Sequence, residues 1–449
     1  MAEWLLLAND KGNNVTAFGV AETASGARSV SQIGLPSMIG GGALPTESLG
    51  EIHFANGKAF IAINGGLVGP APALLASGGL AVIDVDTLQV ESVLKLVSTQ
   101  TGRQSRPVHV YVDPESKFLW VNNDGPSGDS NADSVFRVDV DPASAGYLTY
   151  TEIVVGDGHK KSAISRPHLA MNAKKLFITS SLSERRVDVI DDDPASATYG
   201  QVIKIVRNIG SSPHGMDYSP NSGWAFAGIT GGGMVGVSAD PAKLDADSNG
   251  VIDIPDFDCA ATVDCSGDPS VVKLTAGDAN NPTLFAGYIH TVVNDEHNED
   301  VVYTSGFNSA TDTGFLSAID PETFAVETVL LPGVSSSSFD TVGHHKMYVP
   351  ARQNGSVKNK IMVVDIDHDS PTHHQLLGTG IVVGDGGSHR NGEVSPDGDL
   401  AAYPDTCGTC SAVNVIDTAT NAVVGTVNLS AVPANVGMIY LPFDAEDNH

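Results

Sequence analysis

Six of the fourteen histidines stand at the head of short segments of alternating apolar residues: His53 in GEIHF, His109 in SRPVHVYVDP, His168 in SRPHLAMN, His214 in SSPHGMDYSP, His290 in GYIHTVVND and His389 in GSHRNGEVSPDG. Neutral imidazoles gather without accumulating charge and are good ligands for copper, zinc or nickel. A set without thiolates differs from a structural zinc site, which usually takes cysteines and closes at four ligands. Six ligands exceed the needs of one tetrahedral ion, so two or three ions are expected. Copper comes first because it stands highest in the affinity order for nitrogen donors. One such histidine alone reads as a structural side chain tying neighbouring segments by a hydrogen bond; repetition favours the metal. Glu51, Asp217 and Glu393 lie beside the same positions, where carboxylates orient imidazoles or take a proton from a bound water, the plainer reading being strand-end polarity. Arg106 and Arg166 precede the prolines and Arg390 follows His389. Three cations in an acidic chain can focus a small anion, or each can pair with a neighbouring carboxylate.

The elements that must position these residues repeat. KAFIAI, KFLWVN, KLFITS, WAFAGI, DVVYTS, KMYVPA and LAAYPD each read as a strand followed by a turn and a second strand such as LAVIDVDT, VFRVDVDP, RVDVIDDD, FLSAIDPE, IMVVDIDH or AVNVIDTA. Most lead into a Val-rich third strand, and a short segment such as HVYVDPES precedes each unit. Four antiparallel strands recurring roughly every 45–60 residues predict blades of a β-propeller. The fold class is therefore all-β: one propeller domain over residues 1–449, eight blades by count, seven the alternative if the unit around 335–350 is incomplete. The segment from Asn435 is expected to join WLLLAND and close the first blade, which removes an open sheet edge. In a propeller the innermost strands begin near the axis, so the six histidines are expected to converge, with Ser337 and Asn435 filling the other two positions. His344 or His345 replaces the serine if that blade is irregular. His368, His373 and His374 in DIDHDSPTHHQ fall on an outer hairpin and read as a polar turn.

DADSNGVIDIPD carries oxygen donors at Asp245, Asp247, Asn249, Asp253 and Asp256, with Gly250 at the sixth position. This is the spacing of a calcium loop in which the glycine makes the sharp turn. Its last ligand is Asp instead of the longer Glu, and helical flanks are not expected beside Pro255; the plainer reading is a solvated acidic loop. It predicts a calcium-binding insertion at about 241–270. Cys259 with Cys265 and Cys407 with Cys410 form two close pairs suited to short disulfides in an oxidising compartment, CGTC as a redox motif being the alternative. The start MAEWLLLAND lacks the regions of a signal peptide, so a periplasmic or secreted location rests on the cysteines. With 53 acidic against 24 basic side chains the net charge is −29, which disfavours nucleic acid and anionic membrane surfaces. No apolar run is long enough to span a bilayer.

The segments ending in YVDP, YSP and VSPDG resemble the YVTN-type propellers over nearly the whole chain. A histidine-lined axis is also similar to two copper enzyme groups, thiocyanate dehydrogenase and the propeller domain of nitrous oxide reductase. The latter carries a second, cupredoxin-type domain that nothing after residue 430 would supply. The first resemblance implies a copper cluster that oxidises thiocyanate with water to cyanate and sulfur and hands electrons to an external acceptor such as a cytochrome c. Arg106, Arg166 or Arg390 would then position the anion, and Glu51 or Glu393 would take the proton. The competing reading is an exported propeller that binds a protein partner, its histidines structural.

Overall fold

A computed structural model describes the chain except for residues 1–2, 11–13, 22–27, 35–48, 68–76, 100–104, 106, 124–133, 155–167, 173, 181–184, 211–212, 230–232, 245–255, 259–267, 282–287, 295–299, 309–310, 312, 336–340, 344, 354–357, 386–391, 406–409, 432 and 444–449. The described residues form eight sheets, antiparallel except for one short parallel pair between Val202–Arg207 and Asp256–Asp258, and their one helix is the short Pro241–Leu244. They divide into two compact units. One comprises 1–97, 308–314 and 330–449, the other 98–307 and 315–329.

Numbered in chain order from the sheet of Glu3–Asp10, the first unit holds the first, second, seventh and eighth sheets, headed by Pro433–Phe443, Leu49–Ala55, Val334–Ser335 and Glu393–Val394. As expected, Glu3–Asp10 pairs on one side with Asn14–Ala21 and on the other with the C-terminal strand Pro433–Phe443, so both ends of the chain build one sheet. The second unit holds the sheets headed by Pro107–Val112, Leu169–Met171, Pro213–Ser219 and Tyr288–Asn294.

Second and third strands such as Trp224–Ile229 and Arg186–Asp191 are buried on both faces, because neighbouring sheets in a unit pack face to face. Such strands read as near-continuous apolar runs. The repeated Asp that ends the third strand has a local cause. Asp84 accepts from Thr87, Asp139 and Asp365 from serines five residues on, Asp191 from Asp193 and Thr198, and Asp417 from Thr420. Each carboxylate thus supplies the acceptors that close the hairpin to the fourth strand. In two sheets it also takes a lysine from the facing strand: Lys58 with Asp84, and Lys175 with Asp191 at 2.8 Å.

Candidate metal centre

Five of the eight innermost strands share a feature that their sequences do not announce: a break of register at the head. In the second sheet the pairs step from Leu49↔Ile63 to Ile52↔Ile61, in the third from Pro107↔Asn123 to Val110↔Val121, in the fifth from Pro213↔Ile229 to Met216↔Ala227. Two residues face one each time, so Gly50–Glu51, Val108–His109 and His214–Gly215 are β-bulges. In the sixth sheet the extra residue is His290, between Ile289↔Thr304 and Thr291↔Tyr303, and in the first sheet Asn435 lies within a similar break. A bulge turns its side chains out of the pleat and leaves amides to be satisfied elsewhere. Asn122, the residue skipped opposite the third-sheet bulge, accepts from the amides of Val108 and His109 at 3.1 and 2.8 Å. Asn9 donates to the Gly50 carbonyl at 2.5 Å. Gly215 takes φ +77°, a left-handed conformation for which glycine is the suited residue.

The register refines the sequence alignment. A large aromatic of the second strand faces Tyr111 (Trp120), Ala170 (Phe177), His53 (Phe60) and Asp217 (Phe226). Two residues before those partners lie His109, His168, Glu51 and Gly215. His109 and His168 therefore hold the same position in their sheets, whereas in the second sheet that position belongs to Glu51, with His53 two residues on and His214 one residue early in the fifth. Asp217 keeps the register of His53 in its own sheet.

In the second unit the two equivalent histidines meet. His109 is 5% and His168 4% exposed, and their rings lie 4.7 Å apart between centroids, tilted by 40°. The Tyr111 hydroxyl lies 3.5 Å from His168 Nδ1, at the outer limit of hydrogen bonding. The donor set fits a borderline metal: two buried imidazoles with a polar hydroxyl beside one of them. Among the described residues no group of three or more His, Cys, Asp or Glu side chains is arranged to hold a metal ion. His389, Arg106, Arg166 and Arg390 lie outside the described residues, and the side chains of His214 and His290 are not described. Of the calcium pattern, Asp245, Asp247, Asn249 and Asp253 lie outside as well, and Asp256 is placed as backbone only. On the outer hairpin His373 and His374 stack at 3.8 Å between centroids, and His368 lies tilted 5.4 Å from His373.

In the first unit Glu51 and His53, alternate residues of one strand, point the same way and stand 3.8 Å apart, Oε2 to Nε2. Glu393 faces Ala402 on its second strand at the register at which His53 faces Phe60. Burial raises the Glu393 carboxyl to about 8, and the charge of Glu51 adds to the rise. The consequence for stability has a definite sign. Between the ordinary carboxylate range and pH 8 the folded chain binds this proton and the unfolded chain does not, so stability falls as pH rises through that window, by up to about 1.4 kcal/mol per pH unit. Glu393→Gln is expected to flatten that slope in urea titrations repeated from pH 5 to 8; an unchanged slope would place the carboxyl in water.

Sequence reasoning found His109, His168, Glu51 and Glu393 but not Tyr111 or Asn122. Asn122 was signalled by an Asn-Asn pair ending a strand; Tyr111 looks like any alternating strand aromatic.

No family model matches the sequence, and no curated protein does. Among solved structures the chain is similar to apo AztD from Citrobacter koseri, at 13% identity and a TM-score of 0.55 over 98% of this chain and 99% of that one. A second structure of Citrobacter koseri AztD gives 13% identity and 0.53 over 99% and 100%. The periplasmic gluconolactonase PpgL of Pseudomonas aeruginosa gives 11% and 0.50 over 99% and 100%. Likeness at this identity carries the fold alone, and on it the chain is an all-β propeller.

Proposed function

We propose that this chain is an exported copper-dependent oxidoreductase acting on a small anion, with metal held by histidines at the heads of the innermost strands, His109 and His168 among them. The observation that carries the reading is the contact of those two buried imidazoles from equivalent positions of adjacent repeats. His53, His214, His290 and His389 are the other proposed ligands. Bound copper would supply a Lewis acid for water and a one-electron acceptor. Around it the chain's own residues bind the anion through Arg106, Arg166 or Arg390 and take protons at Glu51 or Glu393. Burial raises the Glu393 carboxyl to about 8, so it holds a proton more readily than an ordinary carboxylate. With thiocyanate, the substrate that the resemblance implies, SCN⁻ and H₂O give OCN⁻, S, two protons and two electrons. The electrons pass to an external acceptor of the cytochrome c kind.

The test is metal analysis of the purified protein together with thiocyanate consumption coupled to reduction of a cytochrome c. Copper at one or more equivalents with turnover supports the reading. Copper-replete medium yielding a metal-free chain without turnover contradicts it and favours a protein-binding propeller. The export part has its own check. Cys410, the one cysteine among the described residues, is not a free thiol, and Cys259–Cys265 and Cys407–Cys410 are the proposed pairs. Thiol titration of the unfolded, unreduced chain should find essentially none; four reactive thiols would mean a reducing compartment.

A further inference from the structure

Away from the innermost strands, the second unit holds a pocket of about 500 Å³ lined from the third and fourth sheets. Its size is that of small-molecule sites. Tyr150–Val154 supplies Thr151 and Ile153, Ser134–Asp139 supplies Arg137, and the turn into Val202–Arg207 supplies Tyr199 and Gln201, with Val202 opening that strand. Alternation decides which side chains share the pocket. Arg137 stands opposite Trp120 on one neighbouring strand and Thr151 on the other, so the three point to the same side of their sheet. Glu152 also borders the pocket, but it stands opposite Phe136, and its carboxylate turns to the other side to accept from Ser98, Thr99 and Ser134.

Aromatic rings hold the guanidinium in place. Its carbon lies 4.6 Å from the Tyr199 centroid, 4.8 Å from that of Phe118 and 5.8 Å from that of Trp120. Nη1 donates to the Tyr199 hydroxyl and, at 3.3 Å, to Asp192 Oδ1. Among the described residues Nε and Nη2 have no partner. That edge is the fork that takes a carboxylate by two parallel bonds. The lining carries no second cation, which suits a single negative charge, and Ile153 and Val202 offer apolar surface. Asp192 contends for the same cation. Burial raises its carboxyl to about 6 against the pull of Arg137, and the charges of Asp113, from the first hairpin of the third sheet, and of the adjacent Asp191 add to the rise. Tyr199 faces it from its own hairpin, where burial raises the phenol as well.

We propose that this pocket binds a small monocarboxylate with an apolar tail, the carboxylate on Nε and Nη2 of Arg137 and the tail against Ile153 and Val202. The site does not depend on the copper reading.

Calorimetric titration of the full-length protein with hexanoate tests it, hexanol being the probe that keeps the tail and lacks the charge. Hexanoate should bind saturably at pH 5.5, and hexanol at least about 10-fold more weakly, because hydrogen bonds between charged groups contribute a factor of that order. Ionised Asp192 repels the ligand and holds its guanidinium. Hexanoate affinity should therefore follow the protonated fraction of Asp192 and fall about 20-fold from pH 5.5 to 7.5. Asp192→Asn should keep the pH 5.5 affinity at pH 7.5, and Arg137→Gln should abolish binding. No saturable hexanoate binding at millimolar concentration and pH 5.5, or equal binding of hexanol, would overturn the site. So would an Asp192→Asn chain that binds hexanoate at pH 7.5 no more tightly than the parent, a result that stands even if Arg137→Gln does not fold.

Discussion

Replacing His109 or His168 by alanine should lower copper affinity by at least about 100-fold, since even residues behind metal ligands contribute 10–100-fold, and turnover should fall with it. Both side chains are almost wholly buried and in ring contact, so neither loss can be made good by the other or by solvent. Copper competition with a chromophoric chelator measures the effect, and the change in the copper spectrum separates a lost ligand from a merely loosened strand. His373→Ala, on the outer hairpin, should change neither. Equal metal content in His109→Ala and the parent chain would make the pair a packing contact.

The second large effect concerns stability. Lys204 and Asp268 pair at 2.5 Å and are 1% and 9% exposed. Lys204→Met leaves the Asp268 carboxylate enclosed without its cation, and breaking a buried pair from one side costs about 3–5 kcal/mol. Lys204 and Asp268 together with Met or Leu should recover most of that, because apolar side chains of similar volume replace buried ion pairs at little cost. Urea denaturation at pH 7 measures both. Burial works to raise the Asp268 carboxyl, but Lys204 and Ser270 hold it below its ordinary range, so the pair's contribution is complete at neutral pH and is lost as pH falls through the acid range. A loss under about 1 kcal/mol in the single variant would mean that the pair is solvated, as exposed pairs are.

The propeller was legible because its cause is local and repeated. Each unit carries turn residues and apolar strands in a fixed order; the hairpin-closing role of Asp84, Asp139, Asp191, Asp365 and Asp417 emerged only from their hydrogen bonds. The candidate site was legible only to within two residues. A bulge adds a residue to one strand without changing its composition, so GEIHF and PVHVYV look alike at their histidines although Glu51, and not His53, shares the register of His109. The amide pair held by Asn122 was hidden for the same reason: the acceptor is chosen by the skipped register, not by a motif. The parallel crossing of Asp256–Asp258 onto a neighbouring sheet was out of reach as well, since three residues carry no periodicity from which pairing can be read.

The central claim, that these histidines hold copper, is tested most directly by anomalous diffraction at the copper edge from crystals of the copper-supplemented protein. The account predicts a peak about 2 Å from an imidazole nitrogen of both His109 and His168, the usual metal–imidazole distance. A map with no peak there, and both imidazoles hydrogen-bonded only to protein groups, would contradict it.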